Sequence, residues 1–592
     1  LPKRFHAFII TQALGAFNDN VYKMLLQLFV LQVLIALREE IYIWVAMFVF
    51  TIPFVLFGPW SGYFADRFSK SNLMRVIKIA EIAIMLIGAA AFYWQDIVFM
   101  FFVLFLMATQ STFFSPAKQG FIPETCEPES ITHANSWVEM TTFLFIIAGI
   151  VVAGLLMDWY NNNTVAATLY CVGFAIMGTV SALFIPNTRP AGSKTKFPWN
   201  PVVGIWRDLV FLKRQKGLWL AGLANSYFWL LGLIFLTNIL LYGKRLLQLG
   251  ESNVLLTVLP AFMMIGIGAG SMLAGRWSGR KVELGLVPLG GLGMAAGSIA
   301  LFFSTNSYLL TSLLLIFTGV SAGLYIVPLF AYLQFVPDEH EKGRVLATVG
   351  VLNGLMMVLG SMIYLLLAVL LNFSADTIYL IMGIATVGAV IYICTIIPEY
   401  FIRFCGWLLT HTLYNIKIIG AEHLPMKGPA LIVPNHVSFV DPFFIGSTVQ
   451  RFIRFIMLRN YYDIPIIRKV FQIMDTIPIA PWEGHESVAK SLETARQKLT
   501  EGHVVCIFAE GGLTRDGAIK EFRSGLETVM DGVSCPIIPV YMHNVWGSIF
   551  SYERGKVIWK WPRKFPYPIT VQYGEPMPAD SKAAEVEARV RE

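Results

Sequence analysis

Four polar side chains crowd the end of one apolar run: Leu431-Ile432-Val433-Pro434 is followed by Asn435, His436, Ser438 and Asp441, with Pro442 next. Of the nine histidines, only His436 has an aspartate five positions downstream. That spacing lets a strand end hold the imidazole while a helix start at Asp441-Pro442 holds the carboxylate, because proline suits a first helical turn. A carboxylate there accepts the free N–H groups of its helix and fixes the imidazole in one tautomer. The other ring nitrogen is then a base near neutral pH. The pair reads as a proton-abstracting dyad; the plainer reading is a capped helix beside a surface histidine.

Two later pieces decide between them. Val504-Val505-Cys506-Ile507-Phe508 has the composition of a buried strand and runs into Glu510-Gly511-Gly512-Leu513-Thr514-Arg515, and Ile537-Ile538-Pro539-Val540-Tyr541 reads as another strand. Asn-His-x-Ser-x-x-Asp, then Ala509-Glu510-Gly511 where the family has Pro-Glu-Gly, then Ile-Pro-Val, resemble in order the blocks of the glycerolipid acyltransferases. The resemblance implies that His436 and Asp441 are catalytic together with Glu510, and that Asn435, Ser438, Gly511, Gly512 and Arg515 bind substrate. Glu510 is expected to orient acceptor or donor, with N–H groups near Gly511 and Gly512 stabilising the oxyanion. The family usually follows Glu-Gly directly with Thr-Arg, whereas Gly512 and Leu513 intervene here. With Val545-Trp546-Gly547-Ser548, this half looks more like 2-acylglycerophosphoethanolamine acyltransferases than like the enzymes of phosphatidate synthesis.

These pieces must be positioned by two regions with different solvents. The chain has 592 residues, 56% of them hydrophobic and 14% charged, too long for one domain and too apolar for an ordinary soluble protein. Residues 1–400 hold a succession of runs able to cross about 30 Å of hydrocarbon at about 20 residues each, and 416–592 hold none. The net charge of +7 sits in short loops between apolar runs, which excludes a nucleic-acid face and makes the basic residues topology signals. Six cysteines without Cys-x-x-Cys spacing or neighbouring histidines indicate neither zinc nor a disulfide framework, so a reducing compartment is expected and no bound cofactor.

Twelve spans are expected, near 8–34, 42–64, 75–95, 98–117, 137–157, 165–186, 217–243, 253–276, 285–303, 308–334, 345–370 and 377–397. Between the sixth and seventh, Arg189, Lys194, Lys196, Arg207, Lys213, Arg214 and Lys216 face a single Asp208, which puts that segment in the cytoplasm. Matched loops follow the second and eighth spans. Gly58-x3-Gly62 leads to Asp66 and Arg67, and Gly270-x4-Gly275 leads to Arg276, so small residues should let helices close up while the charges latch a cytoplasmic gate. Repetition at matched positions favours a duplicated six-helix unit. This half looks like the major facilitator superfamily. Ionisable residues inside spans are the informative ones: Asn18, Asp19 and Asn20, with Lys23 one turn on, then Lys118 and Glu139. Phe17-Asn18-Asp19-Asn20, Ser115-Pro116-Ala117-Lys118 and Ala134-Asn135 through Glu139 resemble the bacterial lysophospholipid transporters of that superfamily. The resemblance implies a transport site made of Asn18, Asp19, Asn20, Lys118 and Glu139. The local alternative is that Lys23 simply neutralises Asp19 at i,i+4.

The expected organisation is therefore multidomain: an all-α major facilitator fold of twelve transmembrane helices in a 6+6 arrangement, followed by an α/β acyltransferase domain. Residues 1–186 form the first bundle, 187–216 a basic cytoplasmic linker, 217–398 the second bundle, 399–415 an interfacial helix on the inner leaflet, and 416–592 the cytoplasmic acyltransferase domain. The two resemblances together imply a bacterial inner-membrane protein that moves lysophospholipid, chiefly lysophosphatidylethanolamine, from outer to inner leaflet and re-acylates it. The donor would be acyl-acyl-carrier-protein or acyl-CoA, and the partners membrane lipid and acyl carrier protein. Relatives of this type often continue into an acyl-carrier-protein synthetase domain, which residues 1–592 do not include. The competing expectation is a drug or ion facilitator fused to a lysophosphatidate-type acyltransferase.

Overall fold

The computed structural model describes residues 5–33, 39–126, 131–160, 163–188, 197, 199–249, 252–278, 283–337, 341–396, 398–425, 428–449, 451–553 and 564–592. The chain divides into two compact units, one of Leu1–Gly279 with Leu286–Val390 and one of Arg280–Gly285 with Ile391–Glu592.

In the first unit the apolar runs become helices because lipid offers no partner to a free backbone N–H or C=O. Six precede the basic stretch: α1 (Phe5–Val33), α2 (Glu39–Arg67), α3 (Lys70–Trp94), α4 (Ile97–Thr125), α5 (Ile131–Trp159) and α6 (Thr164–Leu183). Next comes α7 (Pro201–Arg214), and then six more follow: α8 (Lys216–Arg245), α9 (Asn253–Ser278), α10 (Leu286–Phe302), α11 (Tyr308–Phe335), α12 (Lys342–Tyr364, continued as a π-helical turn to Leu370) and α13 (Ala375–Ile396). Among the described residues ten are long and apolar enough to cross a membrane. The other two are α1, with the polar run from Asn18 at its middle, and the 17-residue α10. Residues 187–216, read as a linker, thus contain a helix. Asn200 starts it by accepting from Val203 N–H, with Pro201 at the first turn.

The expected glycine packing holds at one of the two loops. Gly266 and Gly270 on α9 face Gly319 and Gly323 on α11, and a Cβ at Gly270 would stand 2.0 Å from the Val320 carbonyl oxygen. That is the small-residue crossing available to membrane helices. Gly58, Gly62 and Gly275 have nothing within 4 Å and join no crossing. At the end of the bundle away from 187–216, Asp158 at the end of α5 accepts from Asn253 N–H at 3.1 Å, Asn253 Nδ2 at 2.6 Å and Val254 N–H at 3.2 Å, closing the start of α9. Arg245 pairs with Glu40 at the same end.

The second unit starts with the amphipathic α14 (Pro398–Leu413), whose Arg403 makes a buried ion pair at 2.7 Å with Glu283 of the Arg280–Gly285 segment. Beyond it lie β1 (Tyr414–Ile419), β2 (Ala430–Pro434), α15 (Asp441–Thr448), β3 (Ile453–Leu458), α16 (Arg459–Tyr462), α17 (Pro465–Ile473), β4 (Ile477–Ile479), α18 (His485–Thr500), β5 (Val504–Cys506), α19 (Gly525–Met530), β6 (Ile537–His543), β7 (Tyr567–Tyr573) and α20 (Ala583–Arg591). The strands form one seven-stranded sheet in the order β1-β7-β6-β2-β5-β3-β4, parallel except for the β6–β7 pair. β2 is central and wholly buried. Its alternation sends Ala430 and Ile432 to one core and Leu431 and Val433 to the other. A strand covered on both faces reads as a continuous apolar run, which is why the sequence shows no alternation there.

Candidate active site and membrane charge cluster

The carboxyl ends of β2 and β5 are neighbours in the sheet, the position where open α/β sheets gather ligands. β5 ends at Cys506, two residues short of the expected strand. Ile507 N–H still reaches Ile432 C=O at 3.0 Å, and then the chain turns, with Gly511 N–H donating to Phe508 C=O at 3.0 Å. Gly511 has φ +70, which favours glycine, and a Cβ there would stand 2.7 Å from the Arg523 guanidinium carbon and push that side chain aside.

His436 leaves β2 with its ring stacked on Phe508 at a centroid distance of 4.0 Å. Carrying its proton on Nδ1, it donates to Asp441 Oδ2 at 2.9 Å. The same carboxylate oxygen accepts Val437 N–H at 2.7 Å and Ser438 N–H at 2.8 Å. Asp441 therefore folds back on the residues before α15 instead of capping that helix, correcting the expected capping role. Burial pushes the Asp441 carboxyl above its ordinary value, opposed by the His436 ring and by those two N–H groups. Three donors on one oxygen favour the anion. Nε2 of His436 has no partner among the described residues, and the side chain is 18% exposed. The arrangement is a base with its far nitrogen fixed and its near nitrogen open.

The other residues gathered here divide by what they touch. Both Glu510 oxygens are occupied, Oε1 by His436 N–H at 2.7 Å and Oε2 by Lys520 N–H at 2.9 Å. Burial raises its pKa against those same bonds. This carboxylate clamps two loops, and that differs from an expected contact with acceptor or donor. Asn435 bridges β2 to β6 through Met542, accepting its N–H at 2.8 Å. Ser438 is fully buried and its Oγ accepts from Val440 N–H. Gly511 N–H is spent within its turn, so of the two glycines Gly512 alone keeps an N–H for an oxyanion. Arg515 is exposed on a loop that Thr514 ties to His436, its N–H donating to the His436 C=O at 3.0 Å. Trp546 covers that loop at Gly517.

Glu510→Gln has a definite expected result. An amide presents one acceptor and one N–H pair to two backbone donors, so one of them loses its partner at a cost of about 1–3 kcal/mol. Thermal stability falls and kcat for acyl transfer falls with it, while KM for the acceptor stays. A raised KM with unchanged kcat would return Glu510 to substrate contact.

Inside the first unit, Asp19 accepts from Ser111 Oγ of α4. Lys23 donates to Asn20 Oδ1 at 3.0 Å and lies 4.8 Å from the Phe50 ring centre rather than pairing with Asp19. Lys118 is half-buried on α4, and the Glu139 side chain lies outside the described residues. Of the expected gate, the Asp66 side chain also lies outside them, Arg67 donates to Tyr63 of its own helix, and Arg276 is exposed. What the sequence reading missed is a pair on α3. Lys78 and Glu81, each 1% exposed, meet at 2.6 Å. Asn18 Nδ2 donates to Glu81 Oε1 at 2.9 Å and Gln110 Nε2 to Glu81 Oε2 at 3.2 Å. A Cβ at Gly15 would stand 2.7 Å from Lys78 Nζ, so that glycine makes the room the lysine fills. Two ionisable residues three apart within the span at 75–95 were the available signal. Glu81 is fully partnered, whereas Asn18 Oδ1 and Asp19 Oδ1 are buried without a hydrogen-bond partner among the described residues.

Comparison with known proteins agrees with both halves. Residues 8–361 match the Major Facilitator Superfamily and residues 415–543 match the Acyltransferase family. The lysophospholipid transporter LplT of Photorhabdus laumondii is 27% identical over 358 residues, covering 59% of this chain and 83% of that protein. LplT of Escherichia coli (strain K12 / DH10B) is 28% identical over 353 residues, covering 58% and 81%. Among solved structures, a bacterial homolog of the human lysosomal transporter Spinster, inward-facing and unoccupied, is similar with a TM-score of 0.50 at 12% identity, covering 68% of this chain and 97% of that one. A POT family transporter in complex with a thioalcohol-conjugated peptide has a TM-score of 0.52 at 11% identity, covering 67% and 97%. These two likenesses speak for the fold alone.

Proposed function

Because the chain belongs to the Major Facilitator Superfamily and carries behind that region a segment of the Acyltransferase family, we propose that it moves lysophospholipid across the bacterial inner membrane, outer to inner leaflet, and re-acylates it on the cytoplasmic side. One observation carries the reading: similarity to lysophospholipid transporters stands in the same polypeptide as an aspartate-held histidine whose second nitrogen is open. A lysophospholipid has the free glycerol hydroxyl that such a base serves.

In the proposed reaction Nε2 of His436 removes the proton from that hydroxyl, and the oxygen attacks the carbonyl carbon of an acyl thioester. The tetrahedral intermediate holds its negative charge against the Gly512 N–H and collapses with cleavage of the C–S bond. The leaving thiolate takes the proton back from the imidazolium, so the base is regenerated. Asp441 stabilises the transient cation. No covalent acyl-enzyme forms, because Ser438 is buried in its turn. The donor is the thioester of acyl carrier protein or coenzyme A. In the membrane half the lysophosphatidylethanolamine ammonium is assigned to Asp19, assisted by Asn18, Asn20 and Glu139, and the phosphate to Lys118. The acyltransferase domain is assigned to 416–592, on the cytoplasmic side with the basic segment 187–216.

The test is uptake of labelled lysophosphatidylethanolamine into vesicles that contain the protein and enclose an acyl thioester, followed by chromatography of the lipids. Diacyl product formed inside, from lysolipid added outside, is the expected result. A drug or ion facilitator would leave added lysolipid outside.

A further inference from the structure

The nine-residue α17 has no buried side chain among its described residues, although its sequence, Pro465-Ile-Ile-Arg-Lys-Val-Phe-Gln-Ile473, is mostly apolar. Val470, Phe471 and Ile473 are partly covered, Phe471 by Tyr462, whereas an isoleucine left in water gives up about 1.5–3 kcal/mol. Ile464, at 39% exposure, Ile467, at 36%, and Tyr461, at 42%, stand out on this helix and the turn before it. Arg468, 3.9 Å from Asp463, and Lys469 are exposed among them, while Arg459 at the start of α16 is held by Glu483. Apolar side chains rimmed by arginine and lysine are the composition of a segment lying in a lipid interface, where long basic side chains reach back to phosphates.

Two further observations say what covers this face. α17 touches α14, which exposes Leu408 and Leu409 and begins at Pro398, two residues after the end of the membrane-spanning α13. α17 thus packs on the element that directly follows a membrane-spanning helix in the chain. On its other side, Tyr461 of α16 packs edge-on against Phe439 of the catalytic loop at 5.5 Å between ring centres. Phe439 lies three residues from His436. The same short element therefore joins an exposed apolar face to the base.

We propose that Arg459–Ile473 is a docking element for an anionic lipid surface, with Ile464 and Ile467 entering the boundary between headgroups and acyl chains and Arg468 and Lys469 meeting lipid phosphates. Docking there holds the His436 loop at the membrane, so that a single-chain lipid reaches Nε2 with its tail still in hydrocarbon. The docking stands independently of the acyl-transfer reading; its effect on the reaction rests on that reading.

The test uses the full chain in nanodiscs. With exposed Cys405 replaced by serine, Ile467→Cys carries an environment-sensitive fluorophore, and Glu493→Cys on the exposed face of α18 is the control. In discs containing phosphatidylglycerol and doxyl-labelled lipid, the probe at 467 is quenched and the probe at 493 is not. Arg468→Glu with Lys469→Glu lowers that quenching. In a second arm, Ile464→Ser with Ile467→Ser lowers acyl transfer to bilayer-embedded lysolipid by at least about tenfold, while transfer to a short-chain soluble acceptor and the thermal melt are unchanged. A probe at 467 unquenched in every disc overturns the proposal. So does protection that appears only when acyl carrier protein is added, since that assigns the basic face to an acidic protein. If quenching holds and neither acceptor is acylated even without substitution, docking stands and the acyl-transfer reading fails.

Discussion

His436→Ala is expected to lower acyl transfer by about 10²–10⁴-fold and to leave lysolipid uptake as it was. The geometry makes this the largest effect of any substitution in the acyltransferase unit. Nε2 is the one ring nitrogen without a partner, while Nδ1 is committed to Asp441 at 2.9 Å. The side chain contributes little else, a stack on Phe508 and partial cover from solvent, so alanine removes the base with small structural change. Asp441→Asn is the informative companion. Its Oδ2 serves two backbone N–H groups as well as the ring, so the amide oxygen keeps the loop while its nitrogen, or the lost charge, leaves the imidazolium unsupported. A fall in rate for that variant, with an unchanged melting temperature, separates support of the base from support of the fold. Initial rates with an acyl thioester donor, measured beside uptake in the same vesicles, decide it. Full acyl transfer by His436→Ala would remove the histidine from the reaction altogether.

How much of this was legible beforehand follows from which forces are local. The dyad was legible because five residues of spacing are spanned within one turn, and the strand and helix that frame it announce themselves by an apolar run and by Pro442. The division into a lipid-facing half and a water-facing half needed only hydropathy. What Glu510 does was not legible. Its partners are the backbone N–H groups of His436 and Lys520, and a backbone group leaves no mark in a sequence. The same limit hid the glycine roles: Gly58 and Gly270 look alike in their loops, yet one faces open space and the other the Val320 carbonyl, because contact depends on which helix lies opposite. Lys78 and Glu81 were visible and passed over. Their meaning came from Asn18 and Gln110, which arrive from two other helices.

The second large effect separates Glu81 from Asp19 in the membrane half. Glu81 has every acceptor in use, by Lys78, Asn18 and Gln110, and so behaves as a strut. Removing one member of a buried ion pair strands the other, at about 3–5 kcal/mol. Glu81→Gln should therefore lose thermal stability on that scale and lose both activities as the protein melts, and Lys78→Met in the same chain should restore much of the melt by removing the stranded charge. Asp19 is built otherwise. One of its oxygens takes Ser111, the other is buried with no hydrogen-bond partner among the described residues, and Lys23 and Lys78 bond Asn20 and Glu81. A carboxyl with one buried oxygen left open in a membrane interior is what the proposed ammonium site requires. Asp19→Asn nearly preserves shape and removes the charge, so it should keep the melting temperature, abolish uptake of lysophosphatidylethanolamine, and leave acyl transfer intact for lysolipid supplied on the acyltransferase side. Three measurements on one preparation decide between strut and site. If Asp19→Asn melts as low as Glu81→Gln, Asp19 is a strut too. If it takes up lysolipid at the normal rate, its charge has no part in transport, and the headgroup must be met elsewhere in the bundle.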